Sequence, residues 1–300
     1  MNTATKLKGY IFTVMSAVIY GTMPLMARHI YADGVNALTL VFLRNLLALP
    51  SIAVMVWLTE KSFKIERGMF FKVSLPSILG CAITPVLLFA SYNYLASSTS
   101  TVFHFIYPAL VVLIGIVFLK KKAVIGTIIS LALCFVGVFL FYDPSATFSF
   151  TGAGLALGSG VTFALYVITL SYFNKKGISG FSFSFYITLW SSIIMLVFCL
   201  ATDTLMLPKS IVGWGLCLLF SFLVTTCAVV LFQQGTFILG GEKAAILSTL
   251  EPITSVLIGI FIFREAISVK TVIGCILVIS ASVLIALSDI KNKDRGHKNA

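Results

Sequence analysis

His104 and Tyr107 stand three residues apart just ahead of Pro108, and Ser248 and Glu251 stand three apart just ahead of Pro252. On a helix, residues at i and i+3 share a face. A proline inside that helix removes one backbone hydrogen bond and frees the carbonyl four residues earlier, here those of His104 and Ser248. Each cluster therefore joins hydroxyl and ionisable side chains to an unpaired carbonyl, a set that can hold a polar solute or pass a proton. Glu251 could bind an ammonium group or take up a proton in each cycle. His104 is the second candidate for proton coupling, because free imidazole titrates near neutral pH. The plainer reading is a kink with packed polar groups, with Glu251 held by a structural partner such as Arg44.

The elements that must carry these clusters are membrane spans. The chain is 59% hydrophobic and 10% charged over 300 residues, and no charged residue falls between Val73 and Leu119. A helix crossing a bilayer needs roughly 20 apolar residues. Breaks at charge clusters and turn residues predict ten helices, at about 9–27, 37–58, 71–94, 99–119, 123–141, 152–173, 181–202, 212–238, 243–263 and 269–288. The break between the third and fourth is placed at Ala96–Ser100. In lipid, a freed carbonyl must find a protein or water partner, and an intramembrane carboxylate costs about 2.5–3.5 kcal/mol on insertion scales. Both points strengthen the reading of the two proline clusters as one site near the midplane.

Charge supports the count. With ten spans and the N-terminus inside, sixteen of the 21 basic residues fall on the cytoplasmic side, including Lys61, Lys64, Lys120–Lys122 and Lys175–Lys176. Short cytoplasmic loops collect Lys and Arg in this way. The net charge of +11 is then a property of loops facing an anionic leaflet, and no nucleic-acid partner is implied. Both termini are expected in the cytoplasm and the chain in the plasma (inner) membrane, with the first apolar run kept as a span and not removed as a signal peptide. The six cysteines lie in predicted spans without a C-x-x-C pair and read as packing residues, so neither metal nor cofactor is called for. The tail, 291–300, is polar and expected to lack structure.

An internal repeat organises the spans. Shifting the chain by 144 residues lays Val112-Leu113-Ile114-Gly115-Ile116 on Val256-Leu257-Ile258-Gly259-Ile260 and Pro108 on Pro252. The fold class expected is all-α, a polytopic membrane protein of two five-helix repeats, 1–146 and 147–290. Five is odd, so the copies are inverted, an arrangement that suits alternating access around a site between the halves. Lys120-Lys121-Lys122 closes the fourth span, whereas Arg264-Glu265 closes its counterpart without net positive charge.

Phe42-Leu43-Arg44-Asn45, Ile106-Tyr107-Pro108, Leu250-Glu251-Pro252 and Phe263-Arg264-Glu265, in this order and spacing, resemble the drug/metabolite transporter superfamily and its ten-helix EamA-type members. The resemblance covers nearly the whole chain. It implies transport of amino acids, related metabolites or drugs, more often as efflux than uptake. One departure stands out: Lys121 lies opposite Glu265 where the family often has an acidic residue in both halves.

The remaining lining expected around the proline clusters is Tyr20, Phe163 and Tyr166 on the first helices of the two halves, Asn93, and the adjacent Gln233 and Gln234. Carboxamides meet both ends of a zwitterion, and aromatic rings supply apolar walls and cation–π contact. Arg44, near the start of the second span, is expected to snorkel or bond carbonyls. Gly154, Gly158 and Thr162 form a small-residue stripe for close helix packing. The substrate expected is a small zwitterionic or cationic metabolite, with no cationic cluster to clamp a phosphate. Two other classes remain open: a membrane-embedded lipid-modifying enzyme, disfavoured by the lack of paired carboxylates or a nucleophile, and a passive facilitator or channel. Monomer or homodimer is undetermined.

Overall fold

The computed structural model describes residues 3–95, 97–120, 125–140, 149–174, 180–263 and 269–298. All its regular elements are helices. Span 1 is α1 (Thr3–Tyr20) with α2 (Met23–Ala32), and span 2 is α3 (Ala37–Leu46) with α4 (Leu49–Thr59). Span 3 joins α5 (Arg67–Lys72), α6 (Ser74–Pro76), a π-helical segment (Ser77–Ile83) and α7 (Thr84–Ser91). Span 4 is α8 (Ser97–His104) with α9 (Tyr107–Val117), and span 5 is α10 (Ile125–Phe139). In the second half, α11 (Phe150–Asn174) and α12 (Gly180–Ala201) are continuous. Span 8 joins α13 (Ile211–Phe220), a second π-helical segment (Ser221–Val229) and α14 (Val230–Leu239). Span 9 is α15 (Gly241–Leu247), a 3₁₀ turn (Ser248–Leu250) and α16 (Glu251–Phe263), and span 10 is α17 (Val269–Lys298).

Seven of these assemblies are long and apolar enough to cross a bilayer, and two further apolar helices, Ile125–Phe139 and Val272–Leu284, are shorter. Large apolar side chains such as Trp57, Phe139 and Phe261 stand more than 60% exposed, which in water would be a liability and in lipid is the outer surface. The chain is a multi-pass, all-α membrane protein.

Packing runs between the halves. Span 1 lies on spans 8 and 9, and span 6 lies on spans 3 and 4; span 2 pairs with span 7 and span 5 with span 10. The 144-residue shift exchanges these partners, so the contacts obey the repeat. It also lays Ser77 on Ser221, the first residues of the two π segments. Each of these serines reaches across to the other half: Ser77 Oγ donates to the Ile187 carbonyl at 2.6 Å and Ser221 Oγ to the Arg44 carbonyl at 2.7 Å.

Prolines set most breaks. Pro24, Pro50, Pro85, Pro108 and Pro252 each sit in the first turn of a new helical segment, where a missing N–H costs nothing. Pro85 frees the Cys81 carbonyl inside the first π segment, and that oxygen accepts from Ser191 Oγ at 2.8 Å and Asn45 Nδ2 at 3.2 Å. Three non-glycine residues hold left-handed backbone just after a span: Lys61 (φ 53°), Lys120 (φ 51°) and Asp203 (φ 52°).

Several expectations are corrected. The turn between spans 3 and 4 lies at Tyr92–Leu95, with Ser97 already helical, because α7 stops at Ser91. The C-terminal helix runs on to Lys298, taking in tail residues expected to be without structure; once nucleated in an apolar segment, a helix gains one bond per added residue. The small-residue stripe meets span 3 at Thr162, whose hydroxyl lies 2.7 Å from that of Thr84, and at Gly158, where a methyl would lie 3.5 Å from Leu87, but a methyl on Gly154 would meet nothing; the tightest approach on α11 is at Gly160, where one would lie 2.6 Å from the His104 carbonyl oxygen. Lys121, Lys122, Lys175, Lys176, Arg264 and Glu265 lie outside the described residues.

Candidate substrate-binding site

The breaks in spans 1, 4 and 9 and the π segment of span 3 converge on one interior cavity. It is lined by Tyr20, Met23, Arg44, Gly80, Thr84, Pro85, Leu88, His104, Tyr107, Phe163, Phe232, Ser248 and Glu251. Ligand pockets commonly enclose about 300–1,000 Å³, far more than this cavity holds. In this conformation the passage is narrow, with about 40 Å³ open to the centres of water molecules, enough for roughly three.

Local sequence explains why helices part here. Pro108 and Pro252 follow Tyr107 and Glu251, the first residues of α9 and α16, and the last turn of α8 and the 3₁₀ turn stop short of them. Glycines on the neighbouring spans close on the exposed backbone. Gly160 packs on the His104 carbonyl, and Gly21, at the break of span 1, packs beside the Glu251 carbonyl, 2.8 Å from where its Cβ would be. No larger residue would permit either approach.

Hydrogen-bond direction can be read around the cavity. Ser159 Oγ lies 2.6 Å from the Ala156 carbonyl, which can only accept, so the serine proton is committed there. The 2.8 Å contact between Ser159 Oγ and His104 Nδ1 is then donated by the ring. Likewise Ser248 Oγ donates to the Ala245 carbonyl at 2.9 Å, and Tyr107 donates its hydroxyl proton to Ser248 Oγ. Phe163 stands among the rings, 4.7 Å from Tyr107, 5.5 Å from His104 and 5.4 Å from Phe232 between centroids. Arg44 is 3% exposed and Glu251 9%, yet both line the cavity. Arg44 Nε has no hydrogen-bond partner, and its guanidinium sits 6.0 Å from the Phe89 ring. Among the described residues Arg44 and Glu251 form no ion pair with each other.

Against this geometry the EamA-like transporter family matches the chain twice, over residues 7–143 and 150–287. The chain belongs to the EamA-like transporter family. With it the chain is placed in the drug/metabolite transporter superfamily. It is similar to an uncharacterized transporter of Archaeoglobus fulgidus, 28% identical over 276 residues, with 91% of this chain and 94% of that protein covered. It is also similar to the uncharacterized inner membrane transporter YicL of Salmonella typhimurium, 24% identical over 93% of this chain and 95% of the relative. A solved crystal structure superimposes with a TM-score of 0.76 at 13% identity, over 96% of this chain and 98% of the other, and shares the fold.

In this EamA-type chain the cavity brings together His104, Tyr107, Ser248 and Glu251 of the two proline clusters with Tyr20 and Phe163 of the first helices of the two halves. Four expected lining residues are elsewhere. Asn93 is exposed in the turn after α7. Gln233 is fully buried, donating to Tyr166 Oη at 2.8 Å and accepting from Ser184, so both residues belong to packing between spans 6, 7 and 8. Gln234 abuts Gly180 at the start of α12, with its Nε2 lacking a partner. Successive helical residues point about 100° apart, so the two adjacent amides face different neighbours.

Of the readings given for Arg44, snorkelling does not hold: it turns inward into the cavity that Glu251 also lines, because Ser221 and Asn45 tie α3 to the two π segments. A lone arginine in an otherwise charge-free span was the signal for it. Gly80 and Thr84 were missed because nothing beyond Pro85 marked a π segment.

Proposed function

We propose that this transporter carries small zwitterionic organic metabolites, amino acids foremost, by alternating access between its two halves, in the direction of efflux. The observation that supports this is the opposed pair of groups in one cavity: a guanidinium and a carboxylate that line the same space without pairing with each other. Two buried charges are costly unless each finds a counter-charge. A zwitterion supplies both at once, its carboxylate to Arg44 and its ammonium to Glu251, with Tyr107, Phe163 and Phe232 as the apolar wall. Glu251 also serves as the proton-coupling group, taking up a proton when the ammonium leaves. The halves rock about the cavity because the helices are already broken there. The efflux direction follows the family resemblance, and lysine-rich loops favour cytoplasmic termini in the plasma membrane.

The test is uptake of a panel of neutral amino acids and cationic aromatics into proteoliposomes, with and without a proton gradient. Saturable transport that falls at least about tenfold in both Glu251→Gln and Arg44→Gln supports the reading. Transport unchanged in both variants sinks it, and rates indifferent to pH remove the proton from the cycle. Counterflow separates carrier from channel, since only a carrier is stimulated from the trans side.

A further inference from the structure

We infer that His104 is a specificity-determining residue, held by Ser159 as a hydrogen-bond acceptor that reads an N–H on the substrate amine. The inference rests on the cavity being the substrate site. It goes further by naming which amines the site accepts: primary or secondary ammonium groups, and not their fully alkylated counterparts.

The direction of one bond carries the argument. Ser159 has a single hydroxyl proton and gives it to the Ala156 carbonyl, so it can only accept from His104 Nδ1. An imidazole bonded to a neutral hydroxyl and packed against Phe105, Tyr107 and Phe163 is held in its neutral form. Neutral imidazole carries one N–H, and with the proton on Nδ1 the lone pair is on Nε2. That nitrogen has no protein partner among the described residues, and the ring is 6% exposed within the cavity lining. The fixing is reinforced from behind: Gly160, one residue after Ser159, packs on the His104 carbonyl, so ring and backbone are gripped by the same turn of α11.

The other lining groups leave His104 this role. Tyr107 has spent its proton on Ser248, and Arg44 can only donate. Acceptors lining the cavity are the Glu251 carboxylate, the hydroxyl oxygens of Tyr20, Thr84, Tyr107 and Ser248, and His104 Nε2, which alone among them is a neutral ring nitrogen with no proton of its own. A carboxylate attracts any cation, including a quaternary one that offers methyl groups alone. The imidazole lone pair, which has no charge to offer, distinguishes an ammonium with N–H from one without, because a site built to accept a proton is left unpaired by an analogue that lacks it.

The experiment compares L-phenylalanine with its N,N,N-trimethyl betaine in proteoliposomes of the full-length protein. Wild type should favour the amino acid by about tenfold in apparent KM. Ser159→Ala frees the ring to move its proton to Nε2, and the amine-to-betaine ratio should fall towards one. His104→Gln, whose amide oxygen can again accept, should restore part of the preference. A purely structural role for either residue would depress both solutes and keep the ratio, and that result overturns the inference, as does a wild-type protein indifferent to methylation. Should wild type carry neither solute, the zwitterion reading fails and this inference with it.

Discussion

The carboxylate of Glu60, at the end of span 2, caps α12 at the start of span 7 through Ser182. Glu60 Oε2 accepts from the Ser182 amide at 3.1 Å and from its hydroxyl, while Oε1 accepts from the Phe181 amide at 2.9 Å. A carboxylate at a helix N-terminus satisfies orphan amides and meets the positive end of the helix dipole. The bond also joins first half to second half. Glu60→Ala should cost about 1–2 kcal/mol and lower the melting temperature of the detergent-solubilised protein by several degrees. A melting curve that does not move would leave Glu60 as an ordinary loop charge.

Asp33 makes a smaller clasp at the end of span 1. Its Oδ2 accepts from the amides of Lys209 at 2.9 Å and Ser210 at 3.1 Å, and Gly213 leaves the room for it. Hydrogen bonds from Ser210, side chain then backbone, hold the Asp33 carboxyl below the usual carboxylate range. A depressed folded value means the stabilisation is present above the unfolded pKa of about 3.9 and lost as pH falls through the folded one. Wild type should therefore lose more thermal stability than Asp33→Asn as pH drops from about 5 towards 3. Parallel curves for the two proteins would show that the clasp does not titrate.

Two glycines on α11 make opposite predictions. Gly160→Ala drives a methyl to 2.6 Å from the His104 carbonyl and 2.8 Å from Ile106 Cγ2, and should destabilise by about 1–3 kcal/mol. Gly154→Ala meets nothing within 4 Å and should stabilise by up to about 1 kcal/mol through helix propensity alone. Thermal unfolding of the pair, followed by size-exclusion fluorescence, reads both signs; equal effects would mean α11 crosses span 4 elsewhere.

What could be seen in the sequence was whatever lipid and proline dictate. Charge-free runs marked the spans, and Pro108 and Pro252 marked where two of them open, so His104, Tyr107, Ser248 and Glu251 could be named from spacing. The failures have one cause: composition does not give rotation about a helix axis. Gln233 and Gln234 were assigned to the cavity for their polarity, and Arg44 was left between snorkelling, bonding carbonyls and pairing with Glu251. Which way each faces is decided by π segments that shift the helical phase, and by serines on the partner half that bond exposed carbonyls. Neither leaves a pattern in one chain read alone. Gly154 and Gly160 differ by the same rotation.

Lys61 and Lys120 follow spans 2 and 4, which end at one face of the membrane, and Asp203 follows span 7, which ends at the other. All three take a left-handed backbone that glycine would adopt with less strain. The chain has put cations at the stops on one face and an anion at the stop on the other. A polytopic chain commits to its orientation as it is threaded into the bilayer, when lysines are retained on the side of synthesis and tertiary packing does not yet exist. Cations at helix stops would serve that commitment where glycine would not, so the strain held at Lys61 and Lys120 is in keeping with a demand made on the chain before it packs.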